Sequence, residues 1–187
     1  MLSQREAEAF RERAATMLRA LGTVLTPEER ATLEIADFGL GDFEREGLAV
    51  VTYVNNERYC AKELMLFPHQ PCPQHRHPAV GSRPGKMETF RCRSGEVYLY
   101  VTGPETTGRK GAPPVATREH YDVFHEIVLR PGEQYTIPPD TWHWFQAGPD
   151  GAVVSEFSST STDENDIWSN PRIDREPRVA DESPTRE

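Results

Sequence analysis

Three histidines and one carboxylate stand out for the chemistry they could do together: His75 and His77 in the tripeptide His75-Arg76-His77, then Glu88, then His143. Imidazole nitrogens and a carboxylate oxygen are the donors a first-row divalent metal takes when it must keep positions open for a reacting molecule. On an extended strand, residues two apart project from the same face, so one short strand can present both His75 and His77 to a single ion. Any one of these histidines alone reads as ordinary polar surface or satisfied core; the joint pattern favours a metal. Such a set leaves about two positions on an octahedral ion, room for two oxygens of an organic substrate. It leaves the same room for dioxygen, so the ligands alone do not choose between reactions.

These residues need short strands to hold them, and the sequence supplies such strands. The stretch 48–54 (LAVVTYV) is β-branched and apolar, while 61–67, 87–93 and 95–101 alternate. The stretches 125–130, 133–138, 143–148 and 152–159 follow, most of them separated by Gly, Pro, Asn or Asp. Many short strands at this spacing predict an all-β domain, an antiparallel sandwich or barrel. Residues 103–120, rich in Gly and Pro, read as a long loop. Ahead of the strands, Ala9, Phe10, Met17, Leu18 and Leu21 recur near helical spacing over 4–21, with Gly22 as a stop. Thr26-Pro27-Glu28-Glu29 carries an N-cap, a first-turn proline and a capping box, predicting a second helix to about Ala36. The segment 160–173 is expected to fold back across the barrel. The organisation predicted is one domain over 1–175, with a helical segment over 4–36, and a mobile polar tail over 176–187 that is poor in apolar residues.

The 187-residue chain has a net charge of -9, which argues against nucleic acid or an anionic membrane as partner, since both call for a basic surface. No run of about 18 apolar residues predicts a membrane span, and MLSQREAEAF has no basic-then-apolar signal pattern. Cys60, Cys72 and Cys92 are an odd number without CxxC spacing, which reads as free thiols in a reducing cytosol. Cys72 stands three residues before His75, where an extra ligand is conceivable, but an ordinary buried thiol is the simpler reading.

Taken in order, HxH, then Glu88-x6-Gly95, then Gly132-x5-Pro138-x4-His143 resembles the two sequence motifs of the cupin superfamily. Two departures appear: ten residues separate His77 from Glu88, a longer gap than usual, and Asp140 replaces the second motif's glycine. The long gap puts a loop, 78–85, at the mouth of the site. The stretches PGKMETFRCRSGEVYLYVTG (84–103) and DTWHWFQAGPDGAVVSEFSSTSTDENDIWSNPRI (140–173) are similar to the D-lyxose isomerase family of cupins, a resemblance that spans roughly 48–175. The resemblance implies an antiparallel jelly-roll barrel, a metal held by His75, His77, Glu88 and His143, usually Mn2+, a homodimer, and aldose–ketose isomerisation. D-lyxose would become D-xylulose through a metal-stabilised enediolate. D-mannose to D-fructose would be a side activity, since the two aldoses share their C2 and C3 configuration.

Isomerisation moves a hydrogen between C1 and C2, which needs a polarised carbonyl and a base. Glu156 shares one face of AVVSEF with Val154; if that face is the interior, Glu156 is a buried carboxylate suited to carry the proton, and if not, a surface glutamate. Lys86, two residues before Glu88, either donates to a sugar oxygen beside the metal or is a solvated loop lysine; the resemblance favours the first. Arg172 either closes over the sugar or pairs with a surface acid. Trp144 and Phe90, with Trp142 and Phe145, offer apolar walls against the sugar, though core packing is the commoner use. His69, His120 and His125 lack a pattern. Asp163, Glu164 and Asp166 read as a solvated face or a helix start. No fingerprint for an organic cofactor appears. Two other functions stay open: an iron-dependent cupin dioxygenase, which needs no acid–base pair, and a non-catalytic sugar-binding cupin, which would be expected to lose its ligands.

Overall fold

Val50, Leu64 and Val154 pack into one core while their chain neighbours Val51, Met65 and Val153 pack into another, so alternation along the strands buries both faces of one sheet. The computed structural model describes residues 2–175; the tail expected over 176–187 lies outside them. Among the described residues, nine antiparallel strands form the sheet: β1 (Glu34–Ala36), β2 (Leu48–Asn55), β3 (Cys60–Leu66), β4 (Pro71–Arg76), β5 (Glu88–Val101), β6 (His125–Leu129), β7 (Gln134–Ile137), β8 (His143–Ser158) and β9 (Ile167–Trp168). The order β1-β2-β3-β8-β4-β9 is joined by β5, which pairs with β6, β7 and β8.

The curl of the sheet comes from β8. Its first half pairs with β4, its second half with β3, and β5 runs along both halves. The sequence suggests two strands at 143–148 and 152–159 and two more at 87–93 and 95–101; each pair is one long bent strand. The bends are where the glycines stand. At Gly95 (φ +74°) a Cβ would lie 1.9 Å from the Gly151 carbonyl oxygen, so this bulged crossing of β5 and β8 needs glycine.

Helix α1 (Gln4–Ala20) begins at the Ser3–Glu6 capping box and buries Ala7, Ala14, Ala15 and Leu18, a stripe at helical spacing. The C-terminal part of that stripe covers Val51, Met65, Phe67 and Val153 on the outer face of the sheet. Helix α2 (Pro27–Ala31) has the expected Thr26–Glu29 capping box but stops at Ala31 rather than Ala36. Residues 34–36 instead pair with β2 as a strand, which buries Ile35 and Ala36. The 103–120 region is open loop ending in a short 3-10 turn. The 160–173 segment crosses back as expected, with β9 pairing to β4. No helix among the described residues is long and apolar enough to cross a membrane.

Candidate active site

Strand β4 carries His75, directly across from His143 of β8, and His77 follows one alternation later on the same side. The three ring centroids lie 4.2–5.2 Å apart, and one ring nitrogen from each side chain lies within 4.8 Å of the others. The remaining nitrogens are anchored. His75 Nδ1 lies 2.7 Å from the Pro73 carbonyl oxygen, His143 Nδ1 lies 2.9 Å from that of Thr141, and His77 Nδ1 lies 2.5 Å from Asp166 Oδ1. A carbonyl oxygen can only accept, so Nδ1 of His75 and His143 carries the proton and Nε2 presents its lone pair to the centre.

Glu88, first residue of β5, closes the group. Its Oε1 lies 3.1 Å from His77 Nε2 and 3.0 Å from His143 Nε2, and its Oε2 lies 2.8 Å from Lys86 Nζ. The set fits a divalent metal by its own chemistry. Three imidazoles and a carboxylate converge, and His143 Nε2, fully buried, makes no directed hydrogen bond despite the approach of Glu88. Burial, with the other two histidines, holds His75 well below the usual imidazole range, so it stays neutral. Burial and Lys86 push His77 down, but Glu88 and Asp166 outweigh them and raise it to about 9. To ligate, His77 must release its Nε2 proton. Burial opposes the charge on Glu88, yet Lys86 and His77 keep it a carboxylate, well below its usual range.

Lys86 bridges this centre to Glu156, whose Oε1 lies 3.0 Å from Lys86 Nζ. Glu156 stands on the interior face of β8 with Val154, between Lys62 of β3 and Phe90 of β5, and is 4 % exposed. Burial works against the Lys86 charge, but Glu156, Glu88 and Asp163 hold the ammonium well above its usual range. Asp163 also meets Lys62 at 2.6 Å and Arg175 at 3.5 Å. Those three cations outweigh burial and keep Asp163 well below the usual carboxylate range. One cavity collects these groups against an apolar wall that includes Phe38, Leu48, Phe90 and Trp168.

Of the residues singled out in the sequence, His75, His77, Glu88, Lys86, Glu156 and Phe90 line this cavity, and His143 meets it through Glu88. Trp144 does not. As the next residue after His143 it points to the opposite face, where it stacks on Tyr100 at 3.9 Å and donates to the Val123 carbonyl oxygen. Arg172 is exposed and absent from the lining; Arg175, three residues on, lines it instead. Cys72 lies in the cavity wall but outside the histidine cluster, its thiol pushed well up by burial. No residue of the 78–85 loop lines the cavity; the loop serves to deliver Lys86. Gly85 there passes so close to the His77 carbonyl oxygen that a Cβ would come within 2.0 Å. Sequence reasoning missed Asp163, Asp166, Trp168, Lys62 and Arg175. The run Asp163-Glu164-Asn165-Asp166 has no period to show that its first and last residues turn inward while Glu164 stays exposed.

Known proteins resemble this chain along most of its length. A family model described as D-lyxose isomerase matches residues 26–187. A D-lyxose ketol-isomerase of Cohnella laeviribosi is 60 % identical over 169 residues, 90 % of this chain and 93 % of that protein. A D-lyxose/D-mannose isomerase of Thermosediminibacter oceani is 55 % identical over 181 residues, 97 % of this chain and 100 % of that protein. Among solved structures, an L-ribose isomerase of Cellulomonas parahominis with L-ribose superposes with a TM-score of 0.76 at 20 % identity, covering 96 % of this chain and 97 % of the other, a likeness of fold.

Proposed function

The chain belongs to the D-lyxose isomerase family, and from that membership we propose that it interconverts D-lyxose and D-xylulose, with D-mannose and D-fructose as a second pair. One observation carries the reading: a lysine–carboxylate pair, Lys86 and Glu156, set in the same buried cavity as His75, His77 and Glu88, with His143 against Glu88. His75, His77, Glu88 and His143 are the proposed metal ligands, for Mn2+. A divalent ion held there supplies Lewis-acid polarisation of the sugar carbonyl. The remaining work belongs to the chain. Glu156 is the proposed base that takes the proton from one of C1 and C2 and returns it to the other. Lys86, kept as an ammonium by three carboxylates, donates to the sugar oxygen on which negative charge grows. Phe90, Phe38 and Trp168 wall the cavity and limit water around the reacting carbons.

The setting belongs to the proposal as well. Three free, buried cysteines support a reducing, cytoplasmic compartment. Tyr59, Met87 and Phe157 are exposed and lie near one another by strand register, which supports a second copy of the chain as partner. Residues 1–175 are proposed to act as one domain. The test is an assay of Mn2+-loaded protein against a panel of pentoses and hexoses, with ketose read by chromatography and His77→Ala run alongside. D-xylulose from D-lyxose and D-fructose from D-mannose are expected, with loss of both in the variant. Wild-type protein that leaves both aldoses unchanged overturns the proposal.

A further inference from the structure

The three histidines are not held alike. His75 and His143 are each anchored through Nδ1 by a carbonyl oxygen two residues upstream, Pro73 and Thr141, so their orientation is local to their own chain segments. His77 is anchored by Asp166, 89 positions away in sequence. Asp166 stands on none of the strands that carry the ligands. It follows the 3-10 turn Asp163–Asn165 and precedes β9, and its side chain is 5 % exposed. Burying a carboxylate is costly unless a partner compensates, and burial does raise this carboxyl's pKa; the partner here is His77.

The segment around Asp166 touches the site at two further points. Trp168 pairs with His75 across the β4–β9 ladder and stacks on its ring, with centroids 4.6 Å apart and planes 27° apart. Asp163 reaches Lys86 Nζ at 3.6 Å. Three side chains within six residues therefore meet His77, His75 and Lys86.

We propose that Asp166 is a positioning residue of the metal centre: its carboxylate fixes the orientation and tautomer of His77, making that ligand conditional on docking of the 163–168 segment. The inference rests on the metal-site reading above. A carboxylate on the far nitrogen of a ligating imidazole holds the ring and raises its basicity, and losing such a partner costs about 10–100-fold in metal affinity. Linkage adds a second consequence. If docking of 163–168 strengthens metal binding, metal binding must strengthen docking by the same factor.

Two measurements on the full chain test this. In the first, Mn2+ affinity is read from the free-ion electron paramagnetic resonance signal for wild type, Asp166→Ala, Asp166→Asn and Glu164→Ala. Asp166→Ala is expected to weaken binding by about 10–100-fold. Asp166→Asn, which keeps an acceptor oxygen and the shape, should lose less, and Glu164→Ala, exposed on the same turn, should bind as wild type does. In the second, hydrogen–deuterium exchange over 163–168 should slow in wild type on saturation with Mn2+ and not slow in Asp166→Ala saturated to the same degree. Asp166→Asn, isosteric with the native residue, carries both measurements if the alanine variant fails to fold. Tight Mn2+ binding left unmoved by both Asp166 substitutions, or wild-type exchange indifferent to Mn2+, overturns the inference and leaves the isomerase reading intact. Wild-type protein that binds no Mn2+ overturns the metal site and the inference together.

Discussion

Lys86 and Glu156 lie 3.0 Å apart, yet only one of them can act as a base. Three carboxylates surround the Lys86 ammonium and hold its proton, so in the proposed reaction it offers a fixed positive charge and a hydrogen-bond donor. Glu156 faces the same cavity and bonds to Lys86 rather than to the histidines, which supports the proposal that it moves the proton and is not a ligand. Replacing Glu156 with Gln keeps size and hydrogen bonding and removes the proposed base. The expected outcome is a fall in kcat for D-lyxose of roughly 10²–10⁴-fold with Mn2+ affinity preserved. Solvent deuterium should enter the product at C1 with the wild-type enzyme and cease to do so with Glu156→Gln. A variant that turns over at the wild-type rate removes Glu156 from the proton path. Its neighbour on β8 illustrates how narrow such assignments are: Phe157, one residue on, is exposed on the opposite face.

At the scale of elements, the turn before β8 accounts for the departure from the cupin pattern at residue 140. Asp140 has φ +56°, in the left-handed region where glycine is the usual occupant and Asp is among the few side chains tolerated. Its backbone N–H donates to the His77 carbonyl oxygen at 3.1 Å, and its carboxylate pairs with Arg76. The turn therefore braces the strand end that carries two of the proposed ligands. Asp140→Gly should fold and bind Mn2+ nearly as wild type does, whereas Asp140→Val should lose about 1–2 kcal/mol in chemical denaturation. Equal stability of the two variants excludes backbone strain as the reason for the residue. The same distinction between regular and irregular backbone explains what the sequence revealed. His75 and His77 were legible because a strand's period of two fixes their common face; the same rule put Glu156 on the face of Val154, and the fold makes that face the interior. That rule also shows why Trp144 could not share a face with His143. Asp163, Asp166 and Arg175 lie where no period operates, so only tertiary packing decides which way they point. The two long strands were read as four because Gly95 and 148–151 look like turns in sequence and act as bends.

For the molecule as a whole, the cavity concentrates charge in a chain that is already acidic. Lys62, Lys86 and Arg175 face Glu88, Glu156, Asp163 and Asp166 in one enclosure, within a protein of net charge -9. The outer field favours approach of a divalent cation over an anion, and a neutral aldose is indifferent to it. The proposed ligands come from β4 with the residue that follows it, from β5 and from β8, and β8 itself joins the two halves of the sheet. An ion bound at this junction is lost when the strands separate, so its binding free energy adds to folding stability. At 100 times its dissociation constant, Mn2+ should stabilise the chain by about 2.7 kcal/mol. For a chain of this size each kcal/mol is worth roughly 2–4 °C, which predicts a rise in Tm of about 5–10 °C. Differential scanning calorimetry across a Mn2+ titration checks this, and the rise should continue logarithmically with concentration and vanish on chelation. His143→Ala, with a ligand removed at the β4–β8 junction, should melt at the same temperature with and without the ion. An unchanged wild-type Tm across the titration excludes a site assembled from three strands, because no ion held by β4, β5 and β8 together could leave their separation unaffected.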